Sequence, residues 1–132
     1  MTTQTIERTT LSNLVSNEEY CRKVLPFIKA DYFDVKEERV VFEEITSFVE
    51  KYKRIPTKIS LEIEVESRKD LTQDQHTKIV EIIQTLDSTD VDMEWLVDTT
   101  EKFCKDKAIY NAIVDGISII DGKDKKRSAD AI

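Results

Sequence analysis

The clearest periodic pattern in the chain lies between Lys36 and Lys53. Apolar residues recur there at intervals of three and four, and charged residues fill the positions between them. This spacing is typical of an amphipathic α-helix, because residues three and four apart share one side of a helix. Similar spacing predicts helices from Gln4 to Val15 and from Thr72 to Leu86, with Thr72 as the N-cap of the second.

A further short helix is predicted from Glu18 to Leu25. Asn17 is a favourable N-cap, and the acids that follow it suit a first helical turn. Pro26 disfavours helical geometry at the residue before it, so a break is expected there. In the next connection, Tyr32 and Phe33 are expected to seat the chain on the core.

The segment from Ile59 to Glu66 alternates apolar and polar residues, which by itself indicates a strand. The chain offers no convincing second strand with which it could pair, and an unpaired strand leaves its backbone groups unsatisfied. We therefore predict a short helix for this segment.

The longest helical pattern runs from about Asp92 to Ile120 without a proline. A helix of this length would extend on the order of 40 Å, more than a small domain needs to cover its own core. Its apolar residues recur at intervals of seven and three, as in helices that pair with each other. The predicted oligomer interface consists of Leu96, Phe103, Tyr110, Ile113, Ile117 and Ile120.

Within this set we expect the upstream members to belong partly to the domain core, which makes the last three the better interface candidates. Trp95 is expected to pack where the long helix meets the globular body. The alternative is that Trp95 anchors a partner, since tryptophan is enriched in interface hot spots.

These patterns predict an all-α fold: a compact bundle of about six helices that ends in a long C-terminal helix. With only 2 glycines and 2 prolines, the chain lacks the turn residues that sandwiches and barrels require. We expect a globular domain over residues 1–90, the long helix over 91–121, and a basic tail or truncated linker over 122–132.

The formal net charge is -7, and acids outnumber bases in both halves of the chain. Proteins that grip DNA by themselves usually carry a positive surplus, because neutralising phosphates drives that binding. DNA contacts are therefore expected to be weak or indirect. The candidate positions for weak nucleic-acid contacts are the basic residues of the tail, Lys123, Lys125, Lys126 and Arg127, although such a run is more often a solvated linker.

No catalytic, cofactor-binding or metal-binding group is predicted. His76 is the only histidine, and Cys21 and Cys104 stand far apart without a metal-ligand spacing. Gly122-Lys123 lacks the preceding glycine and the following Ser or Thr of a phosphate-binding loop. The chain is thus expected not to be an enzyme. It shows neither a secretory signal nor an apolar run of membrane-spanning length, and we expect an intracellular protein with reduced cysteines.

The order of these elements resembles the N-terminal domain of DnaB-type replicative DNA helicases, most of all those of T-even-type phages. The resemblance spans most of the chain and rests on packing residues in a particular order rather than on one diagnostic motif. The matching positions are Glu7, Leu11 and Leu14 in the first helix, Asp31-Tyr32-Phe33, then Arg39, Phe42 and Ile45, then Pro56-Thr57, and the long helix from about Asp92 to Ile120.

The resemblance implies a collar on a hexameric ring, in which the long helix is the first arm of a hairpin. Hairpins of neighbouring subunits would pair to give a trimer of dimers. Primase is the implied partner, and a helicase loader is a further candidate. ATP and Mg²⁺ would bind a C-terminal domain outside this chain and drive 5′-to-3′ unwinding there. The implied location is the cytoplasm of a bacterial host.

Two other functions remain open at this point. The chain could be a stand-alone helical adaptor or inhibitor that binds a replisome component. It could also be a small nucleic-acid-binding protein that uses its basic tail, which the negative net charge disfavours.

Overall fold

The structure is a computed structural model that describes the backbone of residues 3–130 and the side chains of residues 6–117. This backbone forms six α-helices and two turns of 3-10 helix, with no strand among the described residues. The α-helices are α1 (Thr3–Ser16), α2 (Glu18–Val24), α3 (Lys36–Tyr52), α4 (Lys58–Glu66), α5 (Gln73–Gln84) and α6 (Met93–Asp130). The predicted all-α fold is confirmed.

The first residues of α2 and α5 are capped by the side chains predicted for that role. The Asn17 side chain accepts a hydrogen bond from the Tyr20 backbone N–H at 3.0 Å. Thr72 accepts one from Gln75 N–H at 3.1 Å, and the Gln75 side chain accepts one from Thr72 N–H in return. Pro26 lies in a 3-10 turn directly after α2, so the predicted break is present, but Leu25 before it keeps right-handed helical geometry with φ -53° and ψ -40°.

The segment with the alternating pattern is helical, as predicted, and forms α4. Thr57 and Ser60 build a reciprocal capping box, with backbone-to-side-chain hydrogen bonds of 2.9 and 3.1 Å. Leu61 and Val65 lie on the buried side. The alternation is compatible with a helix because residues four apart share one helical side as well as one side of a strand.

The core lies where α1, α2, α3, α4, α5 and the first part of α6 meet. Tyr32 and Phe33 are both buried, which confirms that they seat their connection on the core. The Phe33 ring lies between those of Phe42 and Phe103, at centroid distances of 5.2 and 6.3 Å.

The first part of α6 packs on α1, α2 and the 3-10 turn Ala30–Tyr32. The Tyr20 hydroxyl hydrogen-bonds the Thr100 hydroxyl at 2.6 Å in the interior. Further along, Lys107 Nζ lies 2.6 Å from Asp34 Oδ1, and Asn111 Nδ2 donates to the Asp31 carbonyl at 3.3 Å. The backbone continues as a helix from there to Asp130. Nowhere in the described chain is a helix both long and apolar enough for a bilayer crossing.

Candidate interface on the long helix

Beyond the globular body, one side of α6 carries a row of exposed apolar side chains. We call this row the α6 stripe. It consists of Ile109 (60% exposed), Tyr110 (60%), Ile113 (57%), Val114 (40%) and Ile117 (56%). Successive members are one or three residues apart, so they share one side of the helix.

The extent of the globular body explains why the stripe faces solvent. Leu96, Phe103, Tyr110 and Ile117 are spaced by seven, so a straight α-helix turns this row by only about 20° between successive members. Leu96 and Phe103 lie over the core, where they are 1% and 7% exposed. Tyr110 and Ile117 lie further along, where the contacts of α6 with the Asp31–Asp34 segment end.

This placement narrows the predicted interface. Leu96 and Phe103 are core residues and leave the candidate set, since their side chains are not accessible to a partner. Tyr110, Ile113 and Ile117 lie together in the stripe. The side chains of Ile120, Lys123, Lys125, Lys126 and Arg127 lie outside the described residues. The division of the chain at residues 90 and 121 stays a prediction.

Two members of the stripe were missed by the sequence analysis. Ile109 and Val114 lie four residues from Ile113 and Tyr110, so a search at intervals of four would have found them. The expectation that Trp95 packs against the body is wrong, because its side chain is 48% exposed. Trp95 lies 14 residues before Ile109, which is about four helical turns before the stripe.

The electrostatics around the stripe tie its start to the body. The Lys107 side chain is only 13% exposed; its ammonium pairs with Asp34 and also lies 5.8 Å from the centre of the Tyr110 ring. A cation placed there is attracted to the face of the ring. The start of the stripe is thus held against the body, and the apolar side chains of Ile113, Val114 and Ile117 beyond it are exposed.

Local sequence pattern did not predict a buried pair of carboxyl groups, Glu7 on α1 and Glu38 on α3, which are 1% and 0% exposed. Arg8 Nε donates to Glu38 Oε2 at 2.9 Å. Neither oxygen of Glu7 has a hydrogen-bond donor among the described groups. Burial first, then hydrogen bonding to Glu38 and the Glu38 charge, raise the pKa of Glu7 to about 8.

This pair is a structural rather than a catalytic arrangement, because the interior seals it from any substrate. The cysteines are similarly enclosed, and burial raises the pKa of the Cys21 and Cys104 thiols to about 11. Among the side chains that the structure describes, no three metal-ligating groups lie close enough to hold an ion. The α6 stripe is therefore the strongest candidate functional feature.

Comparison with known proteins places these features in a family context. The sequence model of the family described as "DnaB-like helicase N terminal domain" matches residues 2–98. A DnaB-like replicative helicase of Enterobacteria phage T4 is 29% identical to this chain over 102 residues. The alignment covers 77% of this chain and 21% of the relative, so the chain spans about a fifth of that protein's length. The family match ends before the α6 stripe begins.

Proposed function

Because the chain belongs to the DnaB-like helicase N-terminal domain family, we propose that it is the assembly and partner-docking domain of a hexameric replicative DNA helicase. The domain acts in phage DNA replication, in the cytoplasm of the bacterial host. It performs no catalysis itself. In the complete protein, ATP and Mg²⁺ bind another domain, which drives unwinding.

The observation that carries this proposal is the exposed α6 stripe. An apolar row of this length on a helix that extends past its own core is unfavourable in an isolated domain, since burying apolar surface releases about 25 cal/mol per Å². Pairing with the same row of a neighbouring copy would cover it. In such a dimer the two copies would meet through the same patch, the α6 stripe, about a two-fold axis. Two-fold dimers are the commonest symmetric oligomers.

In the proposed assembly, α6 is one arm of a helical hairpin that packs against the hairpin of the next subunit. The resulting dimers combine into a ring, and the ring forms the collar to which primase docks. The collar thereby couples unwinding to priming, and a helicase loader is a further candidate partner.

The test is the solution mass of the chain, measured by light scattering over a concentration series. Wild type is expected to associate, and Ile113→Glu to shift association to concentrations at least about tenfold higher, because it buries a charge in an apolar contact. Ala112→Glu is the matched control. It adds the same charge one residue away, at an exposed position on another side of α6.

An unchanged mass profile for Ile113→Glu, or an equal loss in Ala112→Glu, contradicts the assembly role of the stripe. Primase docking is measured separately, by calorimetric titration of the primase from the same replication system into the wild-type chain. Absence of heat and of co-migration in gel filtration would contradict docking while leaving assembly intact.

A further inference from the structure

A second apolar surface lies on α4, away from the stripe. Ile59 is 70% exposed and Ile63 is 56% exposed, and the two are one helical turn apart. The inner side of the same helix holds Leu61 and Val65, which are buried. Ile59 and Ile63 are not among the apolar residues that pack against the core. The side chains of Ile59 and Ile63 are therefore open to a partner.

Acidic residues border this apolar pair. Glu62 and Glu66 lie within one turn of Ile59 and Ile63 on the same side of the helix, and neither forms an ion pair with a described side chain. We call these four residues the α4 face. Two α4 faces would repel each other through their glutamates, so the surface fits an apolar partner that carries positive charge.

A surface of this kind exists on the same chain. A pocket of about 330 Å³ lies between α2 and the C-terminal end of α3. Its apolar lining consists of Cys21, Leu25, Pro26, Val49 and Ile55. Its rim carries Lys53 and Arg54, which are exposed and form no ion pair with a described side chain. We call it the basic pocket.

The other charges on the rim do not cancel this positive character. Arg22 pairs with Glu18 at 3.2 Å, so these two neutralise each other. Glu50 is the remaining acid of the lining, against the two cations Lys53 and Arg54, of which Arg54 lies 5.8 Å from the centre of the Tyr52 ring. The pocket therefore presents an apolar floor with a net positive edge, the complement of the α4 face.

The two surfaces are neighbours on one molecule. Ile55 lines the basic pocket, and Ile59 of the α4 face follows four residues later, a separation of at most about 14 Å even in an extended chain. We propose that the α4 face of one copy docks on the basic pocket of a second copy, and reciprocally, about a two-fold axis. This contact is a second self-association edge, and it rests on the assembly role proposed above.

A second edge is what that assembly role requires. Association through the α6 stripe alone stops at a dimer, because a two-fold contact uses the same patch on both partners. Larger rings need another contact on each copy. The α4 face and the basic pocket supply such a contact. Each surface is apolar at its middle, and the two carry charges of opposite sign at their edges.

The experiment exchanges the charges. The background is Ile113→Glu with Ile117→Glu, which disables the stripe and leaves the second edge as the remaining contact. In this background, one variant carries Glu62→Lys with Glu66→Lys, and the other carries Lys53→Glu with Arg54→Glu. Circular dichroism checks that each is folded, and analytical ultracentrifugation gives the mass of each alone and of an equimolar mixture.

The background chain is expected to form dimers, and each charge variant alone to lose at least about tenfold in association, because like charges then face each other. The mixture is expected to recover dimers, since every contact between the two variants again joins opposite charges. A matched control, Glu94→Lys with Asp98→Lys, makes the same charge change at exposed positions of α6 and should leave dimerisation unaffected.

A background chain that stays monomeric overturns the proposal, as do charge variants that dimerise like their parent. Folded variants that remain monomeric when mixed overturn it too, and point to another partner for the α4 face. These outcomes are independent of the stripe. Failure of the stripe appears instead as an unchanged mass for Ile113→Glu in the otherwise wild-type chain.

Discussion

At the scale of single residues, Glu7 and Glu38 bring two acids together in an interior that excludes water. A charged carboxyl is costly to bury unless it is paired, and Arg8 pairs only with Glu38. The surroundings of Glu7 are the Glu38 carboxylate, Asp34 and, with the opposite sign, Lys107. Since burial raises the pKa most and the neighbouring acids raise it further, Glu7 holds its proton in the folded protein at neutral pH.

This proton links stability to pH. The pKa of Glu7 is about 8 in the folded chain, against an ordinary value of 4.5. Below pH 4.5 both folded and unfolded chains carry the proton. Between 4.5 and 8 the unfolded chain releases it first, so the contribution of Glu7 to the free energy of unfolding falls as pH rises.

We therefore predict that Glu7→Gln, which cannot ionise, gains stability relative to wild type between pH 5 and pH 9. The relative gain should exceed about 1 kcal/mol, since one pKa unit corresponds to about 1.4 kcal/mol. Urea unfolding at pH 5, 7 and 9 measures it. The exposed Glu64→Gln serves as the control and should show no such trend. Parallel curves for wild type and Glu7→Gln would contradict the buried proton.

At the scale of elements, local pattern was sufficient for the helices whose apolar spacing has a single interpretation. The apolar spacing in α3 predicted its extent closely, and Asn17 and Thr72 marked two helix starts because capping depends on neighbouring residues. The α4 segment was harder, since alternation also satisfies a spacing of four. The decisive features there are the capping box and the lack of a partner strand.

The capping box of α4 should therefore carry a measurable share of stability. We predict that Thr57→Ala lowers the free energy of unfolding by about 1 kcal/mol, because the Ser60 backbone N–H loses its acceptor. Thr77→Ala is the control. Thr77 lies at an exposed position inside α5, and its hydroxyl donates a hydrogen bond to the Gln73 carbonyl of the same helix. Denaturant unfolding compares the two, and an equal loss in both variants would show that the cap of α4 has no special weight.

Contacts between distant parts of the chain were not predictable from local pattern. The repeat of seven along α6 continues from Leu96 to Ile117, yet its role changes from core to surface near Asn111. That change depends on where the Asp31–Asp34 segment ends beneath the helix. Glu7 and Glu38 meet across 31 residues, and Trp95 is exposed because the body does not reach its side of α6.

At the scale of the whole molecule, net charge distinguishes a role in protein contacts from a role in DNA binding. The net charge of -7 repels a phosphate backbone over distances of about 10 Å at ordinary ionic strength. The basic pocket contributes only two cations without an ion pair to a described side chain, Lys53 and Arg54. The basic run from Lys123 to Arg127 lies outside the described side chains. The collar role proposed above needs protein contacts rather than phosphate contacts, and the exposed apolar surfaces are compatible with it.

We accordingly predict that the chain does not bind single-stranded DNA at submicromolar concentration, even at low salt. Affinity for DNA comes largely from counterions released when lysine and arginine neutralise phosphates, and a surplus of acids opposes that release. Fluorescence anisotropy of a labelled oligonucleotide, titrated at two salt concentrations, measures it. Submicromolar affinity that falls steeply with salt would instead assign the chain a nucleic-acid role. Replacing Lys123, Lys125, Lys126 and Arg127 with alanine would then show whether the basic run is responsible, because each lost phosphate contact reduces the salt slope by about 1.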